Sequence, residues 1–275
     1  MTPENNVRLL PSMRFSAGGI HFRVDGAGPV ILFIHGVGLD HSMWDQVGSR
    51  LAEDYTILCP DLPGHGASAP APPLADIDWH ADQLADVLAE LQLNQVTVVG
   101  FSLGALVARS MVERHRERVT GLALLHCVFC RDEEAQQTVM QRLQQAQKEG
   151  TGSLIDAALA RWFSADFLRS HPGVEQSIRN RLTDNDPQQF MLAYRLFATA
   201  DTSRVGKLTQ GDIATLIMTG ELDIGSTPEM SQALADHIPG AELVILPGQR
   251  HLAAIEAARP TSEHLRAWLR RVTGS

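Results

Sequence analysis

Gly100-Phe101-Ser102-Leu103-Gly104 stands between an apolar run, Val96-Thr97-Val98-Val99, and a helical pattern over residues 105–113. A Gly-x-Ser-x-Gly pattern at a strand-to-helix turn is typical of a serine nucleophile held on a sharp, strained bend. The two glycines let neighbouring chain pass close to the bend, so that the hydroxyl projects above the end of the strand. The pattern predicts a buried strand, a tight turn and a helix, with Ser102 as the candidate nucleophile. The alternative interpretation is a loop serine with incidental glycines.

The rest of the chain alternates short apolar runs with longer helical patterns. Apolar runs of strand length without polar alternation are typical of strands buried on both faces. Alternating strands and helices indicate right-handed crossovers, so the predicted fold class is α/β with a mostly parallel central sheet flanked by helices. The predicted strands are residues 20–24, 30–34, 56–59, 96–99, 122–125, 213–218 and 243–246. The predicted flanking helices are residues 78–91, 105–113, 228–237 and 261–272.

Residues 131–205 have a different character, since they contain no convincing strand and repeat Gln, Arg and Ala at helical spacing. We therefore predict a helical insert over residues 131–205 that interrupts an α/β core formed by residues 1–130 and 206–275. Within the insert, helical patterns cover residues 136–147, 154–163, 173–182 and 187–200.

A second glycine-rich loop, His35-Gly36-Val37-Gly38, follows the strand predicted for residues 30–34. Glycines there allow backbone N–H groups to approach a bound molecule closely. We expect the N–H groups of Val37 and Leu103 to stabilise a negatively charged oxygen beside Ser102. An ordinary glycine-rich turn is the alternative interpretation. A phosphate-binding loop is excluded because neither a P-loop lysine nor a G-x-G-x-x-G pattern is present.

A serine nucleophile needs a general base, and the base needs a carboxylate to orient it. With this kind of turn the chain order is serine, acid, histidine. Of eleven histidines, His251 is the favoured base because it follows the last predicted strand and the loop Pro247-Gly248-Gln249-Arg250. The loop Gly220-Glu221-Leu222-Asp223 offers two carboxylates, and Asp223 is favoured over Glu221.

Taken together, these segments resemble the α/β-hydrolase family over nearly the whole chain. The resemblance implies a Ser-His-Asp triad, and it places the helical insert where the family carries its cap domain. The landmarks stand in family order: His35-Gly36-Val37-Gly38, residues 61–68 (DLPGHGAS), Gly100-Phe101-Ser102-Leu103-Gly104, and Asp223 followed by His251.

Within the family, the chain looks like the 3-oxoadipate enol-lactonases. The segments that carry this likeness are Met43-Trp44-Asp45, Arg161-Trp162-Phe163 and Thr227-Pro228-Glu229-Met230. The chain departs from those enzymes at Ala105, where a third glycine is usual, and at Asp212-Ile213-Ala214, where a proline is usual. It also carries extra residues between Glu256 and Pro260. These departures bear on the substrate and not on the triad.

The resemblance implies a cofactor-free serine hydrolase that cleaves a small carboxylic ester or lactone through an acyl-enzyme. The same triad would also serve a carbon–carbon bond hydrolase or a haloperoxidase-like perhydrolase, and the fold also supports non-catalytic ligand-binding proteins. As substrate-binding candidates we single out Trp162 as a roof, Arg161 as a partner for a substrate carboxylate, and His126 as part of the pocket floor. The alternatives are a core Trp162 and a solvated Arg161.

Cys127-Val128-Phe129-Cys130 has the spacing of half a zinc site, but a zinc site needs two further ligands and the chain has no second cysteine pair. We expect both cysteines to pack structurally, and we expect no metal or cofactor.

Composition and charge limit the kinds of binding partner and cellular location that we expect for this protein. The chain has 275 residues, 44 % of them hydrophobic, and 23 Lys and Arg against 32 Asp and Glu give a net charge of −9. The acidic balance argues against nucleic acid, and no apolar run approaches the roughly 20 residues of a membrane span. Three cysteines exclude a disulfide framework. Residues 1–6 lack a basic segment followed by an apolar run, so we expect a cytoplasmic protein. The sequence leaves a homodimer open.

Overall fold

The computed structural model describes residues 12–200 and 202–274 and has an eight-stranded sheet at its centre. The strands are β1 (Ser12–Phe15), β2 (His21–Gly26), β3 (Val30–Ile34), β4 (Thr56–Pro60), β5 (Val96–Phe101), β6 (Val119–Leu125), β7 (Ala214–Gly220) and β8 (Glu242–Leu246). Their order is β1-β2-β4-β3-β5-β6-β7-β8. β2 pairs antiparallel with both β1 and β4, and every other neighbouring pair is parallel. The predicted α/β class with a mostly parallel sheet is confirmed.

Helices cover both faces of this sheet. They are α1 (Asp45–Leu51), α2 (Ile77–Glu90), α3 (Leu103–Arg114), α4 (Glu133–Glu149), α5 (Ile155–Trp162), α6 (Ala165–Ser170), α7 (Pro172–Asp184), α8 (Pro187–Thr199), α9 (Pro228–His237), α10 (Ala253–Glu256) and α11 (Ala258–Thr273). Two apolar clusters lie on opposite faces: Ile31 and Phe33 belong to one, and Leu32 and Ile34 to the other. Because successive residues of a strand point to opposite faces, a strand covered on both sides must be apolar throughout.

Between β6 and β7 the described part of the chain forms helices, and we call α4 to α8 the cap segment. The polar pattern of α4 has the expected orientation, because Val139 and Leu143 are buried while the glutamines opposite face outward. The core and cap boundaries at residues 130 and 205 stay a prediction.

Several elements differ from the sequence-based expectation. β1 was not predicted, because it is a short edge strand whose apolar residues, Met13 and Phe15, are exposed and leave no buried run. The strand expected over residues 213–218 is Ala214–Gly220 instead, since Gly220 still pairs with Leu246 of β8. This extension brings the loop that carries Asp223 to the end of the sheet.

No helix in residues 12–200 or 202–274 is long and apolar enough to cross a membrane. The expectation drawn from residues 1–6 falls outside the described residues.

Candidate active site

Ser102 occupies the bend between β5 and α3, as its motif predicts. Its backbone has φ 54° and ψ −113°, a conformation that is unfavourable for a residue with a side chain. A Cβ atom on Gly100 would collide with the carbonyl of Gly104, and one on Gly104 would collide with the carbonyl of Ile34. The two glycines are therefore required by close backbone approach, and they allow the strained bend that presents the Ser102 hydroxyl.

Asp223 and His251 come from the loops that follow β7 and β8, and they meet above the carboxyl ends of the strands. His251 Nδ1 lies 2.7 Å from Oδ2 of Asp223. The other oxygen, Oδ1, accepts hydrogen bonds from the N–H groups of Gly225 at 2.8 Å and Ser226 at 3.0 Å. These contacts fix the carboxylate with one oxygen aimed at the imidazole. His251 therefore carries its proton on Nδ1 and leaves Nε2 as an acceptor.

The electrostatics of Asp223 favour the ionised form. Burial by itself would raise the pKa of Asp223, but the charge of His251 and hydrogen bonds from His126 and His251 hold it well below its usual range. Glu221, the alternative acid, is exposed, and its Oε2 accepts the N–H of Gly248 at 2.7 Å. Glu221 thus braces the loop before His251 and does not bind the imidazole, a geometry that favours Asp223 as the acid.

A cavity of about 590 Å³ brings the candidate residues together under the cap segment. Ser102 and His251 both line it, and apolar side chains of core and cap form much of the rest of its wall. This volume is within the range of small-molecule sites. Among the predicted site residues, Val37, Arg161, Trp162 and Asp223 also line the cavity.

The two expected N–H donors lie on the elements that the sequence indicated. Val37 follows β3 and lines the same cavity as Ser102. Leu103 begins α3, so its N–H belongs to the helix N-terminal groups that have no acceptor within the helix. The positive end of the helix dipole lies at the same point, which favours negative charge there.

His35 holds the first of these loops in place. Its Nδ1 lies 2.8 Å from the carbonyl of Gly36, and its Nε2 accepts the N–H of Leu62 at 2.8 Å. This pair of contacts requires the neutral ring with its proton on Nδ1. Burial, together with the charge of His65, lowers the pKa of His35 from 6.5 to about 3.

We expect His35 to make folding stability depend on pH. The unfolded chain takes up a proton on this ring near pH 6.5, whereas the folded protein does not until about pH 3. The stabilisation is therefore complete above pH 6.5 and is lost as the pH falls, by about 1.4 kcal/mol per pH unit for this group. Burial also lowers the pKa values of His65 to about 4 and His80 to about 3, so these two rings add to the loss of stability at low pH in the same direction.

Urea unfolding at pH 7, 6 and 5 measures this dependence. His35→Asn should reduce the slope by about one proton, and the exposed His264→Asn should leave it unchanged. Equal slopes for wild type and His35→Asn would show that His35 is not the buried neutral group described above.

Trp162 and Arg161 reach the cavity from the end of α5. The ring centroid of Trp162 lies 6.4 Å from that of His251, and its carbonyl accepts the N–H of Leu252 at 2.9 Å. Ser164, two residues further, hydrogen-bonds through its N–H and hydroxyl to Glu256. The end of α5 is therefore tied to the chain that follows His251. Within residues 12–200 and 202–274, Arg161 forms no ion pair with a carboxylate.

The prediction that His126 lines the pocket floor is wrong. His126 ends β6 with φ 50°, is only 1 % exposed and does not line the cavity, because its ring is buried behind the lining residues Phe101 and His251. Its Nδ1 lies 2.8 Å from Oδ2 of Asp223. Sequence reasoning missed this contact, although a signal existed: His126 directly follows a strand predicted to lie in the same sheet as the strand that leads to Asp223.

The two cysteines of the C-x-x-C segment have different environments. Cys127 is buried, as expected for structural packing. Cys130 is exposed and lines the cavity, so the expectation of packing is wrong there. Its φ of 45° marks a turn at the start of the cap segment, and this turn exposes the side chain.

In the described part of the chain, two clusters of histidine and aspartate bring atoms of the kinds that bind metals within 4.8 Å of one another. One is His126, Asp223 and His251; the other is His21, His41 and Asp61. In each cluster both histidines hydrogen-bond to the carboxylate through Nδ1. These nitrogens therefore carry hydrogens and offer no lone pair to a metal ion. Asp61 also accepts the N–H groups of His41 and Ala67, so it holds together the loops that carry these residues.

Comparisons with known proteins agree with this fold. A family model described as the alpha/beta hydrolase fold matches residues 29–258. The chain is 26 % identical to an (E)-2-((N-methylformamido)methylene)succinate hydrolase from Acinetobacter baylyi, over 90 % of this chain and 93 % of that protein. It is 25 % identical to 3-oxoadipate enol-lactonase 2 of the same organism, over 88 % and 89 % of the two chains. The solved structure of a thermophilic esterase from Thermogutta terrifontis, with malate bound, superposes with a TM-score of 0.84 at 27 % identity, covering 96 % of this chain and 100 % of that one.

Proposed function

Because the chain belongs to the α/β-hydrolase family, close to its enol-lactonase-like members, we propose that it is a cofactor-free serine hydrolase of small carboxylic esters or lactones. The observation that carries the proposal is the arrangement around one cavity. Ser102 stands on a strained bend, and His251 lines the same cavity with its Nδ1 held by the buried Asp223. The similar proteins include a lactonase and an esterase.

In the first half of the proposed reaction, Ser102 Oγ attacks the substrate carbonyl and His251 Nε2 takes its proton. Asp223 stabilises the imidazolium without becoming protonated. The carbonyl oxygen gains a negative charge that the N–H groups of Val37 and Leu103 stabilise, each by about 3 kcal/mol. The C–O bond to the leaving group then breaks, and the proton passes from His251 to the leaving oxygen. An acyl group remains on Ser102.

In the second half, water attacks the acyl group while His251 Nε2 accepts its proton. The tetrahedral intermediate collapses, the bond to Ser102 Oγ breaks, and the proton returns to that oxygen. For a lactone, the alcohol released in the first half stays attached to the acyl group as the other end of the opened ring. The products are a carboxylic acid and an alcohol, or a single hydroxy acid or its keto form.

The cavity also supports a substrate that carries a carboxylate. Arg131, Arg142 and Arg161 line it from the cap segment and its start. Burial, with the charge of Arg142, lowers the pKa values of Arg131 and Arg161 to about 10, so both stay charged at neutral pH. The lining carboxylates other than Asp223 belong to exposed side chains. Among the described residues, 12–200 and 202–274, these three arginines form no ion pair with a carboxylate, and a partly buried guanidinium of this kind favours an anion. The similar Thermogutta terrifontis structure holds malate.

We expect Arg161→Gln to weaken binding of anionic esters selectively. Monomethyl adipate and methyl hexanoate form a matched pair of similar length, one anionic and one neutral. Loss of a hydrogen bond to a charged group should raise KM for monomethyl adipate about 10- to 100-fold. Titration of the released acid measures kcat/KM for each ester. The ratio of the two values reports the preference for the anionic ester, because a general loss of activity affects both values equally.

Arg195→Gln is the matched control, since Arg195 is an exposed arginine of the cap segment that does not line the cavity. It should leave the ratio of the two substrates unchanged. If Arg161→Gln lowered kcat/KM by the same factor for both esters, a carboxylate-binding role for Arg161 would be contradicted.

A panel of p-nitrophenyl esters beside an enol-lactone tests the proposed reaction class. We expect hydrolysis of the short esters and of the lactone by the wild-type protein. If the folded protein hydrolyses none of these substrates, the proposed function is excluded, and the carbon–carbon bond hydrolase and perhydrolase alternatives remain.

A further inference from the structure

Two histidines share one oxygen of Asp223. Oδ2 lies 2.7 Å from Nδ1 of His251 and 2.8 Å from Nδ1 of His126. The two imidazole rings meet edge-to-face with their centroids 5.2 Å apart. The reaction proposed above needs the first of these contacts and makes no use of the second.

His126 is held rigidly as a hydrogen-bond donor. Its backbone N–H donates to the carbonyl of Met218 at 2.7 Å, which fixes the strained turn. Thr219 Oγ1, 3.3 Å from His126 Nδ1, donates its own hydrogen to the carbonyl of Ser226 at 2.8 Å, so it can only accept from the ring. Both neighbours of His126 Nδ1, the carboxylate and this hydroxyl, are therefore acceptors. The proton lies on Nδ1, between them.

We propose that His126 is a positioning residue which, by donating to the same oxygen as His251, makes His251 a weaker base and keeps it active at lower pH. A donor that binds a carboxylate takes up part of its charge. Less charge then remains to stabilise the imidazolium of His251. The inference rests on the proposed serine hydrolase function, since it concerns the base of that reaction.

The other groups around His251 are not replaced when His126 is substituted. Phe101 and Trp162 are its uncharged ring neighbours, at 4.9 and 6.4 Å between centroids. Asp223 carries the negative charge, and Arg161 from the cap segment acts on Asp223 from the cavity side. Burial lowers the pKa of His126, against the hydrogen bond and charge of Asp223, and this agrees with a neutral donor.

The test compares three variants by the pH dependence of kcat/KM. In His126→Leu the shared oxygen loses one donor, so His251 holds its proton more strongly. The acid limb should move to higher pH by about 0.5 to 1 unit. This is less than the roughly 1 to 2 units that a hydrogen bond to a charged group is worth, because the lost bond acts on His251 only through the charge of Asp223. His126→Asn keeps an N–H donor at the same point and should keep the acid limb of the wild type. A purely structural role would lower activity at all pH values without moving the limb.

His21→Leu is the matched control, because His21 Nδ1 donates to Asp61 at 2.7 Å in the other buried cluster. It loses a similar bond but should leave the acid limb in place. A second readout needs no turnover: the low-field NMR signal of the His251 Nδ1 proton should move to lower field in His126→Leu and not in His21→Leu, because the remaining bond to Asp223 strengthens.

The outcomes separate this inference from the proposed function. If the wild type hydrolyses no ester but the NMR signal moves as expected, the function fails and the role of His126 stands. If the enzyme is active but the acid limb and NMR signal of His126→Leu coincide with those of the wild type, the inference is overturned. A shift of equal size in His21→Leu would overturn it as well.

Discussion

Ser102→Ala should abolish ester hydrolysis while leaving the fold intact, with kcat falling about 10⁵- to 10⁶-fold. The substitution removes only the nucleophilic oxygen, and alanine fits wherever serine does. The proposed oxyanion donors, the N–H groups of Val37 and Leu103, remain, so we expect a small residual rate above that of the uncatalysed reaction in water. Hydrolysis of p-nitrophenyl acetate measures the loss, and circular dichroism with thermal unfolding checks that the variant is folded.

The control is Ser153→Ala, which removes a partly exposed serine whose hydroxyl donates to the carbonyl of Gly150 in the cap segment. It should retain wild-type kcat. Ser102 would be ruled out as the nucleophile if folded Ser102→Ala protein hydrolysed esters within tenfold of the wild-type rate. A tenfold change in rate corresponds to about 1.4 kcal/mol in the activation free energy.

Asp223→Asn should lower kcat about 10⁴-fold, the second-largest effect that we expect. An amide has almost the same shape as the carboxylate, but it cannot stabilise the imidazolium of His251. The bonds from Gly225 and Ser226 to Oδ1 require an oxygen there, so the NH₂ group of the amide must face the imidazole. His251 is then driven to the tautomer with its proton on Nε2, where it cannot accept a proton from Ser102. The measured quantity is kcat for p-nitrophenyl acetate at neutral pH.

Glu221→Gln is the matched control for that prediction. It changes a carboxylate to an amide only two residues away, and glutamine can still accept the N–H of Gly248 that Glu221 binds. We expect little change in kcat. If Glu221→Gln lost more activity than Asp223→Asn, the assignment of the acid would be wrong.

The sequence was sufficient to predict the sheet because burial on both faces leaves a simple signal. Residues 30–34 are apolar throughout and residues 96–99 are apolar except for Thr97, and helices cover both faces of these strands in the structure. The Ser102 turn was equally predictable, since close backbone approach demands glycine at fixed positions around it. β1 lies at the edge of the sheet with its apolar side chains exposed, and such a strand leaves no comparable pattern.

Contacts between distant segments were harder to predict. His126 and Asp223 are 97 residues apart, and only the parallel pairing of β6 with β7 brings them together. The three cavity arginines come from the start of the cap segment, α4 and α5, and no spacing in the chain relates them. The sequence suggested Arg161 alone, through a resemblance. Tertiary packing, and not local pattern, determines such groups.

The charge of the chain illustrates the same point. A net charge of −9 describes the whole molecule, whereas the cavity is lined by three guanidinium groups. Local charge governs which substrate binds, and global charge governs solubility and long-range attraction.

Labelling with a fluorophosphonate, followed by mass spectrometry of the peptides, tests most directly whether Ser102 is an activated nucleophile. The reagent forms a bond to an activated serine oxygen and releases fluoride. We predict one phosphonate group per chain, on Ser102, with hydrolytic activity lost in proportion to labelling. Labelling at another serine, or a fully labelled Ser102 in a protein that still hydrolyses esters, would contradict the account.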